Sequence, residues 1–99
     1  MRFSIQLQSK QRAEIAALIN SGATANFLHQ KLVNRYKIPA QELPQPITVR
    51  NADGTPNKMG VVTKYVEMDY SMDEHQGRAR FLVTELGQEN IILGLPWLQ

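Results

Sequence analysis

Two short apolar runs constrain this chain more than anything else in it. Ile15-Ala16-Ala17-Leu18-Ile19 carries no polar side chain on either face and delivers its end into Asn20-Ser21-Gly22, while Ile91-Ile92-Leu93 is equally apolar and ends at Gly94. An alternating run suits a strand with one wet face, but a run apolar on both faces suits a strand covered on both sides. The first run therefore predicts a central strand closing the segment Arg12 to Ile19, and the second a short buried strand. The turn after the first run is backed by core.

The rest of the chain is mostly strand and turn. Phe3, Ile5 and Leu7 alternate with Ser4, Gln6 and Gln8, which predicts a half-buried strand before a turn at Ser9-Lys10. Asn26 is placed to cap a short helix whose stripe Leu28, Leu32 and Tyr36 faces the core, with His29 on the exposed side and Ile38-Pro39 as its end. Pro39, Pro44 and Pro46 predict an irregular extended connection. Ile47 and Val49 open a strand, Asp53-Gly54 is a hairpin signal, and the return arm runs from Val61 through Tyr70. The polar stretch Asn51 to Gly60 is long for a tight turn, so this hairpin should project with a mobile tip. Ser71 to Gly77 predicts a second turn. Arg78 to Leu86 predicts a strand with Ala79, Phe81 and Val83 facing one way, and Leu95-Pro96 the start of a closing helix in which Trp97 packs. Five to seven short strands and one or two short helices make the chain mainly β.

Composition narrows the function classes. A chain of 99 residues is one domain, 1–99, and a domain of this size buries only about 60 to 65% of its unfolded surface, so a partner subunit would help. Apolar residues at 42% and charged residues at 20% fit a soluble globular protein. The net charge of +2 comes from scattered basic residues, which argues against nucleic acid as a partner. With no cysteine there is no disulfide framework and no thiolate chemistry. No apolar run approaches the roughly 20 residues of a membrane span, and Met1 to Lys10 lacks the apolar middle of a signal peptide. The expectation is an intracellular protein, cytoplasmic or inside a particle, with no membrane contact. No cofactor and no metal is expected: Asp69, Asp73, Glu74 and His75 cluster around a turn without ligand spacing and read as a solvated hairpin.

An apolar strand, then Asn-Ser-Gly-Ala, then much later an apolar-apolar-Gly strand resembles the retropepsin-like aspartic proteases, specifically the protease domain of Ty3/gypsy-type retrotransposon polyproteins. Ser21, Gly22, Ala23 and Thr24 match the first signature of that family, and Ile92, Leu93, Gly94, Pro96, Trp97 and Leu98 match the second. The order of strand, loop, helix, projecting hairpin, strand and apolar-Gly covers nearly the whole chain. One position departs: Asn20 stands where the family carries its catalytic aspartate.

The resemblance implies a closed β-barrel of the acid-protease type with a flap hairpin, one half-site per chain and a homodimer as the active form. It implies a peptide or polyprotein substrate cleaved by water. Two carboxylates about 3 Å apart cannot both ionise, so they share a proton. The ionised one takes a proton from the water while the protonated one polarises the peptide carbonyl. An amide has neither a useful base nor an acidic proton, so the chain as written is expected to be inactive. Ser21 would hydrogen-bond across the dimer axis, and Gly22 would give the loop its close backbone approach. Ala23 and Thr24 would line the substrate channel, and Gly94 would let the second apolar strand pass behind the loop. The hairpin from about Val49 to Val62 would be the flap, with Asn51, Ala52, Asp53 and Gly54 near the peptide. Asp53 reads as a turn former rather than an acid catalyst. The chain ends at Gln99 without a C-terminal strand to interleave, which leaves three arrangements open: Met1 to Gln8 alone supplying the dimer's sheet, a weak dimer, or a monomer excised from a longer polyprotein. Two readings of Asn20 remain: a protease domain whose acid has been replaced, or a non-catalytic descendant that binds peptide or dimerises.

Overall fold

One strand organises the sheet. In a computed structural model describing residues 3–6, 12–19, 25–50, 56–72 and 75–94, strand β6 (Pro56–Met72) runs for 17 residues. It pairs antiparallel with β1 (Phe3–Gln6), β5 (Gln41–Arg50) and β7 (His75–Thr84) at different points along its length. The remaining strands are short: β2 (Arg12–Glu14), β3 (Ala17–Ile19), β4 (Phe27–His29) and β8 (Ile91–Leu93). The eight strands form one sheet in the order β2-β1-β6-β7-β4-β8-β3, with β5 attached to β6 beside that path. Together with a single helix among the described residues, α1 (Gln30–Tyr36), they make the fold mainly β, as expected.

Alternation along the strands sorts the core into two clusters. Phe81 and Val83 of β7, Ile91 and Leu93 of β8, and Phe3 and Ile5 of β1 meet Leu28, Leu32 and Val33. The intervening residues Leu82 and Ile92 point the other way and join Phe27, Val49, Val62 and Leu86. Aromatic packing anchors the first cluster: Phe3 stacks on Tyr70 with centroids 5.9 Å apart and meets Phe81 edge-on at 6.4 Å. Leu28, Leu32 and Tyr36 lie in or against this cluster, as their spacing predicts.

Several elements differ from the sequence expectation, each for a physical reason. The predicted strand Arg12 to Ile19 is two strands, because the chain changes partner. Ala13 pairs with Ile5 and the Ile15 N–H still donates to the Phe3 carbonyl at 2.9 Å, after which Ala17 takes Ile91 as its neighbour. The second half is not covered on both sides either. β3 ends the sheet path with β8 as its sole neighbour among the described residues, leaving Leu18 42% and Ile19 43% exposed.

The helix begins later than its apolar spacing suggests. Phe27, Leu28 and His29 form a strand, and His29, not Asn26, is the N-cap. His29 is buried rather than on an exposed helix face. Lys37 ends the helix in the left-handed conformation at φ 52°, with the Ile38 N–H returning to the Val33 carbonyl at 3.0 Å. The segment holding Pro44 and Pro46 is a strand rather than an irregular connection. β5 tolerates prolines because β6 is its sole neighbour among the described residues, and its register slips between Glu42 and Ile47, where they sit. The predicted turn at Ser71 to Gly77 is narrower, since the β6·β7 ladder continues to Met72 opposite His75. The predicted closing helix from Leu95, with Trp97, lies outside the described residues. Among the described residues no helix is long and apolar enough to cross a membrane.

Tyr70 lies directly opposite Gly77 in the β6·β7 register, and its ring covers the glycine. A Cβ at position 77 would sit 2.6 Å from the Tyr70 hydroxyl and 2.9 Å from its Cζ. The ring cannot swing away freely while it stacks on Phe3. Gly77→Ala is therefore expected to destabilise the fold by about 1–3 kcal/mol, the usual range for overpacking. Urea unfolding measures this, and an unchanged midpoint would show that the ring is not held there.

Candidate active site

Three short strands define where the signature loop must start and finish. β8 has β3 parallel on one side, with Ala17 opposite Ile91 and Ile19 opposite Leu93. It has β4 antiparallel on the other, with Phe27 opposite Ile92 and Leu28 opposite Ile91. The chain leaving β3 at Ile19 therefore re-enters the sheet at Phe27 on the opposite side of β8. Asn20, Ser21, Gly22, Ala23 and Thr24, the residues predicted for this loop, lie outside the described residues. So do Asn51, Ala52, Asp53 and Gly54, predicted for the flap. The described residues are those that flank both segments.

Asn26 is the most informative of these flanking residues, and sequence reasoning gave it the wrong task. It is buried at 7% exposure, and its Oδ1 accepts the Gly94 N–H at 3.0 Å, joining residues 68 apart in the chain. Its backbone carbonyl accepts the Leu82 N–H at 2.9 Å. The exit of the first signature is thus bonded to the glycine of the second and to β7. An Asn before an apolar stripe is the ordinary signal of a helix cap. Nothing in the local sequence distinguishes that role from a bond to a glycine so distant.

His29 takes the capping role three residues later. Its Nδ1 accepts the Lys31 N–H at 3.0 Å, which places the ring proton of a neutral imidazole on Nε2. Nε2 in turn lies 3.4 Å from the Glu85 carboxylate, a group largely in solvent. The His29 backbone N–H donates to the Asn90 carbonyl at 2.9 Å, so this residue also ties β4 to the turn before β8.

The second core cluster joins β4 and β8 to the β5·β6 hairpin. Val49 of β5 and Val62 of β6 pack with Phe27, Leu82 and Ile92, and Ala25 packs against them. Leu18 is opposite Ile92 and shares its face, while Ile47 is opposite Val62; at 42% and 41% exposed they form an apolar rim beside the cluster. Further out the two arms lose step. From Thr48 opposite Val61 to Arg50 opposite Pro56, β6 uses five residues where β5 uses two. Gly60 sits in this bulge with φ +67°, a conformation glycine adopts without strain. Among the described residues this cluster is apolar, with Tyr65 packed against it and the Arg80 guanidinium 4.2 Å from the centre of the Tyr65 ring. Further along the β6·β7 ladder Glu67 pairs with Arg80 at 2.9 Å and Asp69 with Arg78 at 3.1 Å, in solvent-exposed pairs. Asp69 of the predicted solvated cluster is thus an ion-pair partner.

A mainly β fold in which an apolar strand lies between the strands that flank residues 20–24, with a hairpin anchored on the same core, is retropepsin-like. The family model of the PEG10/RTL1 protease domain matches residues 16–99, from before β3 to the end of the chain. The chain belongs to that family of retropepsin-like domains, which derive from Ty3/gypsy-type retrotransposon polyproteins.

The cap yields a prediction. His29→Ala removes the acceptor for the Lys31 N–H and should cost about 0.5–2 kcal/mol, whereas His29→Asn keeps a capping oxygen and should recover part of the loss. Thermal unfolding of the two variants decides it; equal losses would mean that ring packing, not the cap, is what His29 contributes.

Proposed function

We propose that this chain is the protease-type domain of a retrotransposon-derived polyprotein, with Asn20 at the position of the catalytic aspartate and, as written, no peptidase activity. The observation that carries the reading is the family match over 16–99 set against the amide at position 20. In a two-fold dimer each protomer contributes one loop, so a single replacement removes both carboxylates at once. General acid and base steps are each worth about 10²–10⁴-fold, and both are lost together.

The remaining parts suit a peptide. The hairpin that packs through Val49 and Val62 onto β4 and β8 is the flap, with Asn51, Ala52, Asp53 and Gly54 at its tip closing over an extended substrate. Ser21 and Gly22 shape the loop, and Ala23 and Thr24 line the channel. The rim of Leu18 and Ile47 suits an apolar side chain of the substrate. The working form is a homodimer inside the cell, in the cytoplasm or within a particle, acting on its own polyprotein when an acid stands at position 20. With Asn20 in place the same cleft is a peptide-binding or dimerising module.

Restoring the acid tests the reading. Asn20→Asp is expected to cleave an apolar peptide library at least about 10²-fold faster than the chain as written. Equal cleavage by the two, or none by either, would sink it. Sedimentation of both chains across about pH 4 to 8 provides a second check, because two facing carboxylates repel when both ionise and two amides do not. The Asn20→Asp dimer should weaken as pH rises through this range while the Asn20 dimer stays constant; superimposable curves would refute the facing arrangement.

A further inference from the structure

We infer that Asn26 is a positioning residue for the loop at 20–24, setting where the loop ends by taking the place of a sheet hydrogen bond; its catalytic meaning rests on the function proposed above. The β4·β8 ladder runs antiparallel with Phe27 opposite Ile92 and Leu28 opposite Ile91, and the His29 N–H bonds the Asn90 carbonyl. Counted one hydrogen-bonded pair further, Ala25 would face Gly94, and the Gly94 N–H would go to the Ala25 carbonyl. It goes instead to Asn26 Oδ1 at 3.0 Å. A side chain therefore fills the last rung, and the main chain is released from β8 at that point.

The same residue holds the chain from the other side. Its carbonyl stays in the β7 ladder through the Leu82 N–H at 2.9 Å. Asn26 is thus fixed between β7 and β8, both of which are buried there, and the loop's exit can neither slide along β8 nor lift from it. Gly94 is itself buried, so its N–H has no water to fall back on if the amide oxygen is removed. The residue type follows from the geometry: an Oδ acceptor on a two-carbon stem is available from Asn or Asp and not from Ala.

The test uses the whole chain with Asn20→Asp, alone and combined with Asn26→Ala or Asn26→Asp. Asn26→Ala should speed exchange of the Gly94 amide by about tenfold or more, the size expected for one buried hydrogen bond, while amides of the β6·β7 ladder keep their rates. It should lower kcat by about 10–100-fold with KM nearly unchanged, because a displaced loop misplaces the reacting groups without removing peptide contacts. Asn26→Asp keeps the acceptor and should restore both Gly94 protection and most of kcat.

Unchanged Gly94 exchange in Asn26→Ala overturns the proposal, as does a loss of KM alone or a failure of Asp to restore. If Asn26→Ala does not fold, Asn26→Asp decides by whether it retains Gly94 protection. If the Asn20→Asp parent cleaves nothing, the proposed function fails by itself. Gly94 exchange in the chain as written then settles whether Asn26 fixes the loop's exit.

Discussion

Everything that places the candidate site depends on β8 lying between β3 and β4. It is three residues long, wholly buried, and paired parallel on one side and antiparallel on the other. Its alternation serves both halves of the core: Ile91 and Leu93 belong to the first cluster and Ile92 to the second. A slip of one residue would exchange those faces and put each apolar side chain in the wrong cluster. The described residues on either side of the 20–24 segment are therefore placed by hydrophobic burial around β8, with the Asn26 hydrogen bonds added on one side.

β4 shows how so short a strand is held at both ends. Among the described residues the buried polar side chains are Asn26 and His29, one just before β4 and one at its end. Each gives a side-chain acceptor to a backbone N–H that its own element cannot satisfy: Gly94 for Asn26, Lys31 for His29. No buried polar side-chain atom is left without a partner among the described residues. The exposed pairs Arg78–Asp69 and Arg80–Glu67 contribute far less, since solvent screens charges that are more than half exposed on the arginine side.

What the sequence makes legible is the part set by local pattern. Phe3 and Ile5 and the face of Phe81 and Val83 follow from period-two alternation, the run Ile91 to Leu93 follows from being apolar on both faces, and all are core. The two signatures identify the family, whose model spans residues 16–99. What the sequence hides is set by distant partners. Nothing near Ala17 says that the strand changes neighbour at Ile15, or that Leu18 and Ile19 face outward. Nothing near Phe27 says that an apolar spacing typical of a helix will first be used by a strand between β7 and β8. On local grounds Asn26 is the cap and His29 an exposed helix residue, whereas in the structure His29 is the cap. Only the sheet decides between them, because β4 must be completed before the helix can start.

Frame and chemistry are separable in this domain. The forces that hold β3, β8, β4 and the hairpin base are apolar packing, ladder hydrogen bonds and two neutral side-chain acceptors. Among the described residues none of these needs a carboxylate at the site. In the active arrangement proposed for the family, a facing pair of acids is instead a cost, because it brings two like charges together in a cleft and must hold a proton between them to survive. An amide at position 20 removes that repulsion and leaves the described supports as they are. Under the function proposed above, the same fold persists with either side chain at position 20, and whether it cuts is decided there rather than by any of the described supports.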